Sequence, residues 1–220
     1  MLKKEKPIIF STEMVRAILE NRKSKTRRVI KPQPPENSIC HGWVMSSTEP
    51  KNEGCAGFGP DENCVNHYSK CPWEVGQILW VRETWSQLDA DYRAVTGKFD
   101  IEEFKGCPII YKADENPEHF NYWRSSIYMP RSAARLLLKV KDIRVERLQE
   151  ITEEDARCEG CIDYHDKIGD GKLGDVAEFD LTARDVFADL WESINLKRGY
   201  GWHLNPWVFV ISFEKVEGIN

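Results

Sequence analysis

Apolar and polar residues alternate most cleanly from Arg135 to Leu148 (RLLLKVKDIRVERL). Leu136, Leu138 and Val140 fall on one side there, Leu137, Lys139 and Lys141 on the other, and the pattern runs on through Ile143 and Val145. A period of two is that of a strand with two unlike faces. Gln77 to Trp85 (QILWVRETW) repeats it, with Ile78, Trp80, Arg82 and Thr84 facing one way and Leu79, Val81, Glu83 and Trp85 the other. Shorter runs predict further strands at Lys6 to Ser11, Thr26 to Ile30, Cys107 to Lys112 and in PWVFVISF from Pro206. A proline at the first position of a strand costs no ladder hydrogen bond.

Three segments have a helical period instead. From Thr12 to Arg22, Met14, Val15, Ile18 and Leu19 share one face, with Ser11 or Thr12 as cap. Asn21 ends that pattern, and asparagine tolerates the left-handed geometry that closes many helices. Thr152 to Asp155 and Thr182 to Asp185 each have the form of a capping box. The first opens a short helix through Glu159, which Gly160 stops; the second opens one with Phe187, Leu190, Trp191 and Ile194 on a stripe. The linking loop, with Gly169, Gly171 and Gly174, lacks the Gly-Lys-Ser/Thr ending of a phosphate-binding loop. Pro32 to Pro72 has no periodicity and is rich in Gly, Pro, Asn, Ser and Cys, which predicts an insertion or extended loop. Short strands without βαβ alternation predict an α+β, mainly β fold: a small, partly closed barrel with flanking helices and a long irregular insertion.

Composition narrows the class. The 220 residues are 41% hydrophobic and 30% charged, enough apolar material for one core, so a single domain over 1–220 with 32–72 inserted is expected. The N-terminal residues MLKKEKPIIF run into Ser11, Thr12 and Glu13 without an apolar secretion core, and no run approaches a membrane span. A cytoplasmic protein without a membrane partner is the expectation. The seven cysteines, an odd number, then read as thiols or metal ligands rather than a disulfide framework.

A net charge of −5 argues against a general polyanion binder, but its distribution does not. From Arg16 to Lys31 seven bases meet only Glu20, a local +6, so the rest of the chain carries −11. One positive face on an acidic body suits contact with phosphate at one place; the same run also reads as a solvated charge cluster.

Asn21-Arg22-Lys23-Ser24-Lys25-Thr26-Arg27-Arg28, followed by Gly76 to Trp85 (GQILWVRETW), resembles the ASCH domain family. With the long insertion, YMPR at Tyr128 to Arg131, GYGW at Gly199 to Trp202 and the final NPWVFVISF, the chain is similar to ASCH proteins common in bacteriophages and prophages. The resemblance implies a PUA-like β-barrel and an association with RNA or modified nucleosides. It also implies a candidate activity, since some small bacterial ASCH proteins are amidohydrolases that act on N4-acetylcytidine with a lysine, a threonine and a glutamate. The lysine and threonine of the family's G-x-K-x-x-T pattern fall on Lys23 and Thr26, and the glutamate falls most naturally on Glu159. Asn21 replaces the family's glycine but keeps a residue able to take positive φ.

The chemistry of these residue types is consistent with that role. Like charges at Arg22, Lys25, Arg27 and Arg28 disfavour protonation of Lys23, and a neutral lysine can take the Thr26 proton and make its oxygen a nucleophile. Glu159 would orient the lysine or protonate the leaving amine, while its charge raises the lysine pKa. Arg28, two positions beyond Thr26, would stabilise an oxyanion or a phosphate. Each also reads as surface: Lys23 and Thr26 as a helix end and a strand residue, Glu159 as part of an acidic helix face. Trp85, Tyr128 and Trp202 are the candidates for base stacking.

Two cysteine groups stand apart. Cys55, Cys64, His67 and Cys71 would suit structural zinc at irregular spacing, or are scattered thiols; no cofactor is otherwise required. Cys158 and Cys161 read as core packing. Besides the amidohydrolase, a non-catalytic RNA or modified-DNA binding module and a ribonuclease-like activity are carried, the last without dedicated metal carboxylates or a histidine pair.

Overall fold

A computed structural model of the chain describes residues 5–61, 63–87, 109–114, 123–163 and 181–216. Among them lie strands β1 (Lys6–Ile9), β2 (Lys25–Val29), β3 (Ile39–Trp43), β4 (Ala56–Gly59), β5 (His67–Ser69), β6 (Ile78–Arg82), β7 (Trp85–Gln87), β8 (Ile109–Tyr111), β9 (Leu137–Arg147) and β10 (Trp207–Lys215). Helix α1 (Thr12–Leu19) sits between β1 and β2, and α2 (Glu153–Cys158) and α3 (Ala183–Asn195) sit between β9 and β10. The class is α+β, mainly β, as the periodicity predicts. The strands form several sheets and no closed barrel among the described residues. Cys107 and the loop with Gly169, Gly171 and Gly174 lie outside those residues. No helix among them is long and apolar enough to cross a membrane.

The chain divides into two compact units, Met1–Asn21 with Gly76–Lys139 and Glu214–Asn220, and Arg22–Val75 with Val140–Phe213. In the first, β6 pairs parallel with β1 (Ile8↔Val81) and antiparallel with the start of β9 (Leu79↔Leu138). Leu79, Val81 and Leu138 are fully buried, so the alternation seen in the sequence is the core face. The Ser11 side chain caps α1 by accepting from the Met14 N–H, and Asn21 takes φ 59° just after the helix. The strand expected through Trp85 stops at Arg82. The Glu83 N–H turns to Met129 Sδ at 3.2 Å, and its buried carboxylate takes two 3.0 Å hydrogen bonds from Arg135. Trp85 therefore starts β7, which pairs with β8.

The second unit is built on β10, which pairs antiparallel with β2 in the register Val208↔Val29, Phe209↔Arg28, Val210↔Arg27 and Ile211↔Thr26. Strand geometry sends successive side chains to opposite faces. Val208 and Val210 join a buried cluster with Leu148, Ile151, Ala156, Phe187 and Trp191, so this face carries α2 and α3. Both helices start at the predicted caps: Thr152 accepts from Asp155 N–H, and Thr182 and Asp185 form a reciprocal box.

The stretch from Pro32 to Pro72 is not irregular throughout. It contains the antiparallel sheet β3-β4-β5. Phe58 of β4 meets Trp207 edge-on at 5.3 Å, and Trp43 of β3 stacks on Phe209 at 6.2 Å with an 11° interplanar angle. This sheet thus rests on the face of β10 opposite α2 and α3. A Cβ on Gly59 would lie 1.5 Å from the Cys64 carbonyl oxygen, so only glycine fits that close approach.

Candidate functional site

The basic segment leaves α1 through Asn21 and becomes β2, which sets where each cation goes. Lys23 forms an isolated antiparallel bridge with Glu159, the residue that ends α2. Its Nζ, with no solvent exposure along the side chain, donates to Glu159 Oε2 at 2.6 Å and to the Glu159 carbonyl at 2.8 Å. Lys23 and Glu159, 136 positions apart, are thus brought into direct contact. Burial pulls the Lys23 amine below its ordinary pKa against the opposing pull of Glu159, and the Arg28 charge adds to the lowering.

At Ser24 the backbone departs from a regular strand. Its N–H donates to the Cys158 carbonyl at 2.8 Å while its carbonyl accepts from Phe213 N–H on the other side. A regular strand residue aims both groups at the same neighbour, so strict alternation does not carry from Lys25 back to Lys23. From Lys25 onward alternation holds. Lys25 and Arg27 point toward α2, and Thr26 and Arg28 point to the opposite face.

On the α2 face the cations meet carboxylates. Lys25 binds Asp155 at 2.5 Å, and Arg27 binds Glu146 at 2.5 Å, Asp155 at 2.8 Å and Glu159 at 3.2 Å. Arg144 adds contacts to Glu146 and Asp155. Arg27 has no solvent exposure along its side chain and lies 5.7 Å over the Phe187 ring. Burial lowers its pKa, but Glu159, Glu146 and Asp155 outweigh this and raise it. The segment expected to offer phosphate a row of charges spends Lys25 and Arg27 inside the unit instead. Arg27 cannot face a phosphate from there. Arg22 donates to the Gly160 carbonyl at 3.0 Å.

Thr26 is 2% exposed. Arg28 shares its face. Burial pulls the Arg28 pKa down, Glu159 opposes, and Arg198 adds to the lowering. Cys161 packs in the core beside the pair, its thiol pushed up to about 11 by burial and the Glu159 charge, while Lys23 and Arg22 oppose. That fits the packing role read for Cys161, whereas Cys158 is only half-buried.

The aromatic candidates divide between the units. Trp202, in the second, meets the Phe187 ring at 6.2 Å and has the Arg184 guanidinium 5.3 Å over it, which makes it a wall of the helix-side core. Trp85 and Tyr128 belong to the first unit. Trp85 is buried with Met129 and Ala133, whereas Tyr128 is 77% exposed. Trp85 thus serves packing, because the split at Glu83 turns it inward. In the β3-β4-β5 region, Cys55 and Cys71 are buried, Cys64 is exposed and His67 meets Ser69 Oγ at 3.1 Å. Among the described residues no three His, Cys, Asp or Glu side chains are grouped to hold a metal.

The charge network has an acid-side signature. Burial alone raises the Asp155 pKa, but Lys25, Arg27 and Arg144 outweigh it and hold the carboxyl below 3.8. A depressed carboxylate stabilises the folded state above its unfolded pKa and loses that contribution as pH falls through its folded value. Asp155→Asn is expected to cost about 2 kcal/mol at neutral pH and to flatten the fall in melting temperature below about pH 4. Thermal melts across pH measure both.

Comparisons with protein-family models, with curated proteins and with solved structures find no match for the chain.

Proposed function

We propose that this chain is a PUA-like ASCH protein that handles a modified nucleoside, and that Lys23, Thr26 and Glu159 hydrolyse the amide of an N4-acylated cytosine. The observation that carries the reading is the Lys23 amine, buried without solvent, held by Glu159 at 2.6 Å and lowered in pKa by that burial. Burial that lowers the pKa of an oriented amine enlarges the neutral fraction able to act as a general base. In the proposed reaction, the neutral fraction of Lys23 takes the Thr26 proton as Oγ1 bonds to the acyl carbon. The bond from that carbon to N4 then breaks, and the proton passes from Lys23 to the departing amine. Water cleaves the resulting threonyl ester, releasing the carboxylate and restoring the hydroxyl. Arg28, on the face of Thr26, meets the oxyanion. The Thr26 side chain lies on the strand face opposite α2, so the reaction requires the segment from Lys23 to Thr26 to rearrange in the substrate complex before the hydroxyl reaches Lys23.

The reading as a nucleic-acid binding module ranks second, because Lys25 and Arg27 already bind carboxylates. The experiment is release of cytidine from N4-acetylcytidine. Turnover by the native protein is expected, with a loss of about 100-fold or more in Lys23→Met and Thr26→Val. No turnover at high enzyme concentration across pH removes the activity. Turnover that survives both substitutions removes the assigned roles.

A further inference from the structure

The sheet in the Pro32 to Pro72 stretch brings one side chain toward Thr26 that none of the roles above includes. β3 has a bulge between Cys40 and Gly42, where Gly42 takes φ 85°. Because of the extra residue, Cys40 pairs with Phe58 and Trp43 with Ala56, so Cys40, Trp43, Ala56 and Phe58 share one face although Cys40 and Trp43 are three apart. Phe58 and Trp43 both land on β10, on Trp207 and Phe209.

Phe209 pairs directly with Arg28, and Ile211 with Thr26. Residues opposite each other in an antiparallel pair lie on the same face, and diagonal neighbours remain within reach of aromatic side chains. Trp43 therefore covers the face that carries Arg28 and, one pair along, Thr26. Phe209 is 3% exposed beneath it, while Trp43 is only half-buried. A half-open indole backed by a parallel ring, on the face that carries a guanidinium and a hydroxyl, has the parts to hold a planar heteroaromatic ring by stacking.

We propose that Trp43 is the base-stacking residue of the site, holding the pyrimidine of the substrate on the indole face turned away from Phe209 so that its acyl group faces Thr26. This rests on the amidohydrolase reading and adds a specificity determinant to it. Stacking of a base on an aromatic side chain corresponds to a loss of about 5- to 150-fold on removal.

The test measures cytidine affinity by calorimetry and steady-state kinetics with N4-acetylcytidine for the native protein, Trp43→Phe and Trp43→Leu. Leucine keeps an apolar contact on Phe209 but has no ring, and thermal melting confirms that each variant is folded. Trp43→Leu is expected to raise KM and weaken cytidine about 10-fold or more with kcat little changed, and Trp43→Phe to restore most of both. A folded Trp43→Leu with native KM and native cytidine affinity overturns the role of Trp43 while leaving the activity standing. A native protein that neither binds cytidine nor turns over N4-acetylcytidine overturns both.

Discussion

Arg27→Met is expected to be the most destabilising single substitution in the second unit, costing about 3–5 kcal/mol of the roughly 5–15 kcal/mol typical of a folded domain. The guanidinium is the shared partner of Glu146, Asp155 and Glu159. Without it, three carboxylates face each other at the core edge, leaving mainly Lys23, Lys25 and Arg144 to balance them. Methionine fills much of the volume over the Phe187 ring, so the loss reports charge rather than a cavity. Arg27→Lys should recover only part, because a single ammonium cannot reproduce a fork that binds three acceptors. Urea unfolding at neutral pH measures this. A deficit under about 1 kcal/mol would mean that water solvates the network.

Glu159→Gln is the second large effect, and its pH dependence separates it from an ordinary packing defect. The substitution leaves the Lys23 ammonium without its carboxylate, and a loss of about 3–5 kcal/mol is expected at pH 7. Lys23 already has a folded pKa below 10.5, lowered by burial against the pull of Glu159, and removing that pull lowers it further. The unfolded chain then binds more protons than the folded one between the two pKa values, so stability rises with pH in that window. The variant's own stability should rise by up to about 1.4 kcal/mol per pH unit between its lowered Lys23 pKa and 10.5, while the deficit against the native protein narrows only up to the native folded pKa of Lys23, down to a residue set by the lost Arg27 contact. Combining Glu159→Gln with Lys23→Met should cost less than the sum of the two, since neither buried charge is then left alone. A variant whose own stability is flat from pH 7 to 10 would contradict a buried Lys23 of lowered pKa in it.

The parts legible in the sequence are those governed by local rules. Ser11, Thr152 and Thr182 cap helices because their hydroxyls reach an N–H three residues on, and Asn21 turns left-handed where the helical pattern ends. Leu79, Val81, Leu138 and Val140 mark the dry side of their strands, although Leu137 on the other side is buried as well.

What the sequence did not disclose depends on distant partners. The small sheet has strands such as Ala-Gly-Phe-Gly, whose glycines look like turn formers but stand where a Cβ would meet Val65 or the Cys64 carbonyl. The fate of the basic segment was hidden in the same way. Arg27 finds its carboxylates 119 to 132 positions later, and no local period links them. Trp85 has the alternation of the strand before it, yet Glu83 binds Arg135 and directs Trp85 into another sheet. Of the proposed trio, the contact of Lys23 with Glu159 is present, while the hydroxyl of Thr26 waits on the opposite strand face.

Acyl transfer to Thr26 is tested most directly by mixing excess protein with N4-acetylcytidine, quenching in acid within a single turnover and mapping the modification by peptide mass spectrometry. An acetyl ester on Thr26, absent from Thr26→Val and decaying as acetate appears, is the expected result. Cytidine released while Thr26 stays unmodified at every quench time would contradict it.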